Sequence, residues 1–188
     1  MSFHTLFLFG STLIIGYQSA AQVIMGGVEL PHEIKANNIN LVLNGSGIRE
    51  ILWWDLYVGG LYLQNKNSDN KIIVNADETM AVKMYVTSSM ITIDRMKEAI
   101  RDGFEKSTKG NLTPVSKRID DIMTTFGTEI KIGDVFDLIY LPAEGVNVYK
   151  NDQFAKTIYG LDFKIALFGI WLSNDPVDNN LKKALLGR

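Results

Sequence analysis

Three side chains have the chemistry to bind a carboxylate: Arg49, Tyr57 and Arg101. A guanidinium group binds a carboxylate through two parallel hydrogen bonds, and a tyrosine hydroxyl can donate a third. Arg49 lies in the stretch GSGIREILWWDLYVGGLYLQ, between a glycine-rich segment and a long apolar run. An arginine at the wall of a core needs an anionic partner, because an unpaired buried charge is strongly destabilising. That partner is either a protein carboxylate or a bound ligand.

Each of these residues also has a purely structural interpretation. Arg49 could form an internal ion pair with Glu50 or Asp55, and Tyr57 could be an ordinary tyrosine of a sheet. Arg101 could lie on the solvated face of a helix and pair with neighbouring charges. The sequence alone leaves both interpretations open.

Composition excludes several classes of site. The net charge is −2, from 19 basic and 21 acidic residues, and no basic block marks a nucleic-acid surface. The chain has no cysteine and two histidines, His4 and His32, which excludes thiolate chemistry and a multi-histidine zinc site. No glycine-rich nucleotide motif is present. We therefore expect no cofactor, no metal and no nucleic-acid partner.

The first 21 residues have the pattern of a secretory signal peptide. Phe3–Ile15 is an apolar run shorter than the roughly 20 residues of a transmembrane helix. Small residues at Ser19 and Ala21 fit a cleavage site, although no Lys or Arg precedes the run. We expect cleavage after Ala21, a domain covering residues 22–188, and a periplasmic or secreted location without a membrane span. The alternative is an uncleaved anchor.

The first half of this domain has the composition of β-strands. Asn44-Gly45 follows an apolar run and predicts a hairpin turn. Gly59-Gly60, within a strand from Ile51 to Leu63, indicates a bulge or a close approach by a ligand or neighbouring backbone. Further strands are predicted at Ile72–Val74 and Ala81–Thr87.

The second half alternates between helices and a hairpin. Apolar residues at helical spacing predict a helix from Ile93 to Ser107 and another that begins at Thr113-Pro114 and ends before Gly127. The later elements are a hairpin of Val135–Leu141 with Val146–Tyr149, a helix around Phe163–Ile170, and a final helix capped by Asp175-Pro176. This order predicts an α+β fold, with a large antiparallel sheet and helices packed on one face.

Three motifs, in the same order along the chain, resemble the chalcone isomerase-like superfamily. GSGIR followed by YVGGLYL is similar to its Gly-x-Gly-x-Arg turn and a strand that ends in Gly-x-Tyr-Leu. Arg101–Ser107 is similar to the Arg-Asp helix of its fatty-acid-binding branch. Ala166–Leu172, Asp175–Val177 and Leu181–Ala184 resemble its C-terminal segment. Together these motifs span almost all of residues 22–188.

The resemblance implies an open-faced β-sandwich and two classes of protein. Plant members isomerise chalcones to flavanones, whereas other members are non-catalytic and some bind fatty acids. Arg49 matches the arginine that stabilises the attacking phenolate in the isomerases. Tyr57 stands where the isomerases have a threonine, and Arg95 and Asp102 stand where they have a tyrosine and an asparagine. Arginine stays protonated, so Arg95 cannot replace a tyrosine that transfers a proton.

We therefore expect an exported, non-catalytic protein that binds a fatty acid or similar amphipathic carboxylate through Arg49, Tyr57 and Arg101. The strand residues expected to surround the apolar tail are Leu52, Trp54, Leu56 and Val58. One alternative is an intramolecular lyase of the chalcone isomerase type, in which Arg49 stabilises an oxyanion and Tyr57 serves as the hydroxyl donor. Another is an envelope interaction protein whose cleft is filled by side chains. The sequence does not predict an oligomeric state.

Overall fold

A computed structural model describes residues 22–188; the predicted signal peptide lies outside the described residues. The described chain contains nine strands and five α-helices. The strands are β1 (Gln22–Met25), β2 (Val28–Pro31), β3 (Glu33–Ala36), β4 (Ile39–Ile51), β5 (Trp54–Leu63), β6 (Met80–Val86), β7 (Val135–Leu141), β8 (Gly145–Lys150) and β9 (Gln153–Ile158). The helices are α1 (Asn70–Asn75), α2 (Ile93–Ser107), α3 (Ser116–Met123), α4 (Leu161–Leu172) and α5 (Asn179–Leu185), and a 3-10 turn (Thr124–Phe126) follows α3.

Strands β3 to β9 form one antiparallel sheet of seven strands in sequence order. The helices pack on one face of this sheet around the larger apolar core. The small β1–β2 hairpin packs on the other face, around a second core that includes Leu30 and Tyr62. The predicted α+β fold, an open-faced β-sandwich with helices on one face, is therefore confirmed.

The predicted turn at Asn44-Gly45 is wrong, because these residues lie inside the long strand β4. The pairing of β4 with β5 shifts between Leu43 and Gly45, which marks a β-bulge. The buried Asn44 side chain donates to the carbonyl of Leu185 at 2.8 Å and accepts from the amide of Asn67 at 2.8 Å. The hydrogen-bonding groups of the Asn44 side chain are thus satisfied by two distant segments rather than by a local turn.

The hairpin turn between β4 and β5 lies farther on, at Leu52-Trp53. Strand β4 ends at Ile51 and β5 begins at Trp54, so the long predicted strand is interrupted at its start. Leu52 has a φ of +57°, a left-handed conformation that suits a tight turn. Both turn residues are exposed.

Helix α2 has the predicted bounds, and the hairpin of β7 with β8 is also confirmed. The predicted strand at Ile72–Val74 is wrong, because Asp69 accepts hydrogen bonds from the amides of Lys71 and Ile72 and thereby starts helix α1. Helix α3 begins after Val115 rather than at Thr113, because the amide of Val115 bonds to the carbonyl of Leu112 and closes a separate turn.

Helix α4 is the central helix of the larger core. Its predicted apolar positions are buried, and so are Lys164, Phe168 and Gly169 between them. Gly103 of α2 lies so close to α4 that an added Cβ would stand 2.8 Å from Ile170. Lys164 of α4 is also fully buried, and its ammonium group donates to the carbonyls of Ile73, Val74 and Ala76 at the end of α1.

The two glycines of the GSGIR motif allow the last helix to pack directly on β4. A Cβ at Gly47 would lie 2.6 Å from the Cβ of Ala184, and a Cβ at Gly45 would overlap the Ala184 carbonyl. The residue that caps this helix is Asp178, not the predicted Asp175-Pro176. The glycines therefore bring the N-terminus of α5 beside Arg49.

Candidate ligand cavity

A cavity of about 460 Å³ lies between the sheet and the helices α2, α3 and α4. Its wall comes from strands β4 to β7, from these helices and from the segments that follow β6 and α4. The apolar lining residues are Ile51, Leu56, Met84, Met90, Ile91, Met96, Ala99, Ile100, Ile122, Phe126, Phe136, Leu138, Leu167, Ile170, Trp171 and Val177. The size and the apolar lining are typical of a site for a small ligand.

Arg49 and Tyr57 form the polar end of this cavity. They are paired directly across β4 and β5, so their side chains leave the same face of the sheet. The hydroxyl of Tyr57 accepts a hydrogen bond from the indole N–H of Trp171 at 2.8 Å. This bond leaves the hydroxyl proton of Tyr57 available for a ligand oxygen.

The protein partner of Arg49 is Asp178. Its Nη1 lies 3.1 Å from Oδ2 of Asp178 and donates to the main-chain oxygen of Glu50 at 2.6 Å. The other carboxylate oxygen, Oδ1, accepts from the amides of Asn180 and Leu181 and caps helix α5. The internal ion pair considered for Arg49 therefore exists, but with a carboxylate 129 residues away rather than with Glu50 or Asp55.

Burial keeps Tyr57 in its protonated form. Desolvation raises the pKa of the Tyr57 hydroxyl to about 12, although the hydrogen bond from Trp171 and the charge of Arg49 oppose this effect. The carboxylate of Asp178 adds a smaller upward contribution. Tyr57 is therefore a hydrogen-bond donor at neutral pH, not a general base.

A second polar group lies where helix α2 meets the opening of the cavity. Arg95, Glu98 and Asp102 line the cavity and are exposed to solvent. Arg95 donates to the carbonyl of Met90 at 3.2 Å. The two positions that resemble the isomerase tyrosine and asparagine therefore do face the cavity, but with an arginine and an aspartate.

The sequence model described as chalcone isomerase-like matches residues 22–187. The chain belongs to the chalcone isomerase-like family. A crystal structure of a fatty-acid binding protein from Arabidopsis thaliana has the same fold, with a TM-score of 0.73. It shares 15% identity with this chain, and the match covers 88% of this chain and 96% of the plant protein. Comparison with curated protein sequences gives no match.

In this chalcone isomerase-like protein, Arg101 does not join Arg49 and Tyr57. Its side chain is mostly exposed and lies 3.8 Å from Asp120, and it also contacts the sulfur of Met123. Arg101 is absent from the cavity wall. The structure therefore brings together two of the three side chains selected from the sequence.

Of the four strand residues expected around the tail, only Leu56 lines the cavity. A shift in the pairing of β4 with β5 after Arg49 leaves Leu56 as an extra residue, so Leu56 and Tyr57 both reach the helix side. Val58 instead packs in the core beneath the β1–β2 hairpin. Strict alternation along an uninterrupted strand would place Leu56 and Val58 on the same face and Tyr57 on the other face.

Sequence reasoning missed Asp178 and Trp171 as members of the polar end. Asp178 is separated from Arg49 by most of the chain, and only the packing of α5 on Gly47 brings the two together. Trp171 lies within a motif that the resemblance had already selected. Its hydrogen bond to Tyr57 depends on the position of α4.

Residues 22–188 hold no group of three or more His, Asp or Glu side chains placed to bind a metal ion. None of the helices in this part of the chain is long and apolar enough to cross a lipid bilayer. The polar side chains of the cavity wall are those of Arg49, Tyr57, Arg95, Glu98 and Asp102.

Proposed function

We propose that the protein binds a fatty acid or a similar amphipathic carboxylate and does not transform it. The ligand carboxylate lies beside Arg49 and Tyr57, and the apolar tail fills the cavity. One observation carries this proposal: a largely apolar cavity of about 460 Å³ has a single arginine and a protonated tyrosine side by side at one end.

The polar end has donors left for a ligand. Among the described residues, Arg49 uses only Nη1 for hydrogen bonds within the protein. Its Nη2 and Nε groups, together with the hydroxyl proton of Tyr57, can therefore serve a ligand carboxylate. Hydrogen bonds to a charged acceptor are the stronger kind, so this end orients the ligand.

The apolar part of the cavity suits a flexible chain. It extends from Tyr57 on β5 across Met84 on β6 to Phe136 on β7, a width of roughly 10 Å from the usual strand spacing. Met90 and Met96 add side chains that adapt to irregular shapes. The plant protein of the same fold is a fatty-acid binding protein, which agrees with this choice of ligand.

The arginine and the tyrosine that stand at matched isomerase positions do not favour proton transfer in the cavity. Cyclisation of a chalcone needs a positioned group that exchanges a proton near neutral pH. Arg95 stays protonated, and the raised pKa of Tyr57 keeps that hydroxyl protonated as well. We therefore infer binding without turnover. In a spectrophotometric assay, the rate of chalcone cyclisation with the protein present should equal the uncatalysed background rate.

We further propose that the protein acts in the bacterial envelope or outside the cell. The support for this location is the apolar leader with small residues before Gln22. The cysteine-free composition is compatible with that environment.

The direct test is displacement of a fluorescent fatty-acid probe from the delipidated protein by unlabelled palmitate. Ala99 lines the cavity from an exposed position on α2. The phenylalanine ring of Ala99→Phe should therefore occupy the cavity without straining the packing of the buried core. The matched control is Lys97→Phe, which places the same ring on the same helix away from the cavity wall. We expect A99F to lose binding and K97F to retain it. Equal binding by both variants would contradict the proposed cavity.

A further inference from the structure

The hairpin between β4 and β5 ends in four consecutive apolar residues, Ile51–Trp54, here named the hydrophobic tip. Their exposed fractions are 44% for Ile51, 78% for Leu52, 87% for Trp53 and 58% for Trp54. Isolated exposed apolar residues are common, but a contiguous group of this size marks an interaction surface.

The hydrophobic tip is continuous with the opening of the cavity. Ile51 belongs to the tip and also lines the cavity. Ile132, which is 62% exposed, adds an apolar side chain at the same end of the sheet. The amide of the next residue, Gly133, donates to the carbonyl of Val86, and Val86 pairs with Tyr57 of β5. Exposed apolar surface and ligand entrance therefore share one end of the molecule.

The backbone conformation at Leu52 is a second feature that distinguishes the hydrophobic tip from an ordinary turn. Leu52 has a φ of +57°, a conformation in which Gly, Asn or Asp is the usual residue. A leucine there strains the backbone and gains little burial within the protein, since its side chain is mostly exposed. Within residues 22–188, burial of the Leu52 side chain does little to offset this strain.

We propose that the hydrophobic tip inserts into the interface of a lipid bilayer and places the cavity opening against the membrane. Tryptophan suits this position, because its ring is apolar and its N–H reaches the polar headgroups. The tip itself carries no charge, and Glu50 and Asp55 flank it. These carboxylates limit insertion to the tip and disfavour anionic lipids, so the partner surface is zwitterionic.

The test uses the purified protein with phosphatidylcholine vesicles, without added fatty acid, so it is independent of the proposed ligand. The readouts are co-sedimentation and the tryptophan emission maximum. Of the three tryptophans, Trp171 is buried and bonded to Tyr57, so a blue shift reports Trp53 and Trp54. We expect the parent to sediment with the vesicles and its emission to shift to the blue.

Two tip variants and one control sharpen the test. Trp53→Ser should lower vesicle partitioning about ten-fold. Leu52→Asn should lower it about five-fold while raising thermal stability, because Asn relieves the left-handed backbone. The control is Ile72→Ser, since Ile72 matches Trp54 at 58% exposed but lies on α1, beyond the opposite end of β5. This control should partition as the parent does.

Any one of the following results would overturn the proposal. The first is a parent protein that leaves phosphatidylcholine vesicles unbound, and the second is W53S partitioning within two-fold of the parent. The third is binding that requires anionic lipid and disappears in high salt, which would indicate adsorption through surface lysines. The fourth is a dimer that W53S dissociates, or an L52N variant less stable than the parent, since either assigns the tip to protein packing.

Discussion

Asp178→Asn and Arg49→Ala should change fatty-acid affinity in opposite directions, although both variants break the same ion pair. Asp178 holds Arg49 at 3.1 Å through Oδ2 and caps α5 through Oδ1. Asparagine retains an Oδ1 acceptor for the cap, so D178N removes the negative charge and preserves the helix N-terminus. In the parent, that charge competes with the ligand carboxylate for Arg49.

The magnitude follows from the geometry of one guanidinium shared by two carboxylates. At a separation of about 6 Å and an effective dielectric constant of about 20, Asp178 repels a ligand carboxylate by roughly 3 kcal/mol. Solvent at this partly exposed site reduces the repulsion to about 1–2 kcal/mol. D178N should therefore bind palmitate about 5- to 30-fold more tightly. R49A loses charge-assisted hydrogen bonds of about 1.5–3 kcal/mol and should bind about 10- to 150-fold more weakly.

The assay is isothermal titration calorimetry of the delipidated variants with palmitate, with urea unfolding of each variant as the stability measurement. Loss of the ion pair should lower the unfolding free energy of both variants by a similar amount. A fatty alcohol of the same length is the control ligand, because without a charge it should show no gain with D178N. If D178N binds palmitate no better than the parent, or R49A binds it equally well, Arg49 is a structural residue and the carboxylate site is refuted.

Three other predictions concern stability and processing. Gly47→Ala should lower the unfolding free energy by roughly 1–3 kcal/mol, because its Cβ would lie 2.6 Å from Ala184; an unchanged urea midpoint would contradict the close packing of α5. Burial lowers the pKa of Lys164 to about 8, against 10.5 in the unfolded chain, so between these values the unfolded state binds more protons and stability rises with pH. Relative to Lys164→Met, which keeps the tyrosines whose raised pKa values act in the opposite direction, the parent should gain about 2 kcal/mol from pH 8 to pH 10 by urea titration. A difference between parent and variant that stays constant with pH would exclude the lowered pKa of Lys164. Edman sequencing of the exported protein should give Gln22 as the first residue, and an intact Met1 would refute cleavage.

The local elements of this fold were largely accessible from the sequence. Helix α2 has the predicted bounds because its apolar residues follow a single helical period and Thr92 caps it with a side-chain hydrogen bond. The hairpin of β7 with β8 was predicted from two apolar runs, Val135–Leu141 and Val146–Tyr149, on either side of a turn at Pro142–Gly145. In both cases the deciding interactions lie within a few residues along the chain.

Errors occurred where a distant segment overrides a local preference. Asn44-Gly45 is a common turn pair, yet Asn44 is satisfied by the backbone at Asn67 and Leu185, and the strand continues. The turn at Leu52 was missed because leucine is rarely left-handed. A local sequence pattern contains neither the long-range contacts of Asn44 nor the rare backbone conformation of Leu52.

The sequence by itself determined the family-like order of motifs, four of the five described helices and the presence of an arginine that needs an anion. Only the tertiary structure decided that Asp178 is its protein partner, that Tyr57 stands beside it, and that Arg101 lies elsewhere. The physical reason is that hydrophobic periodicity depends on neighbouring residues, whereas the surroundings of a charge depend on which surfaces pack together. At Arg49 the packing depends on two glycines of β4 that let the last helix approach, and on a cavity built by residues from four strands, three α-helices and the 3-10 turn.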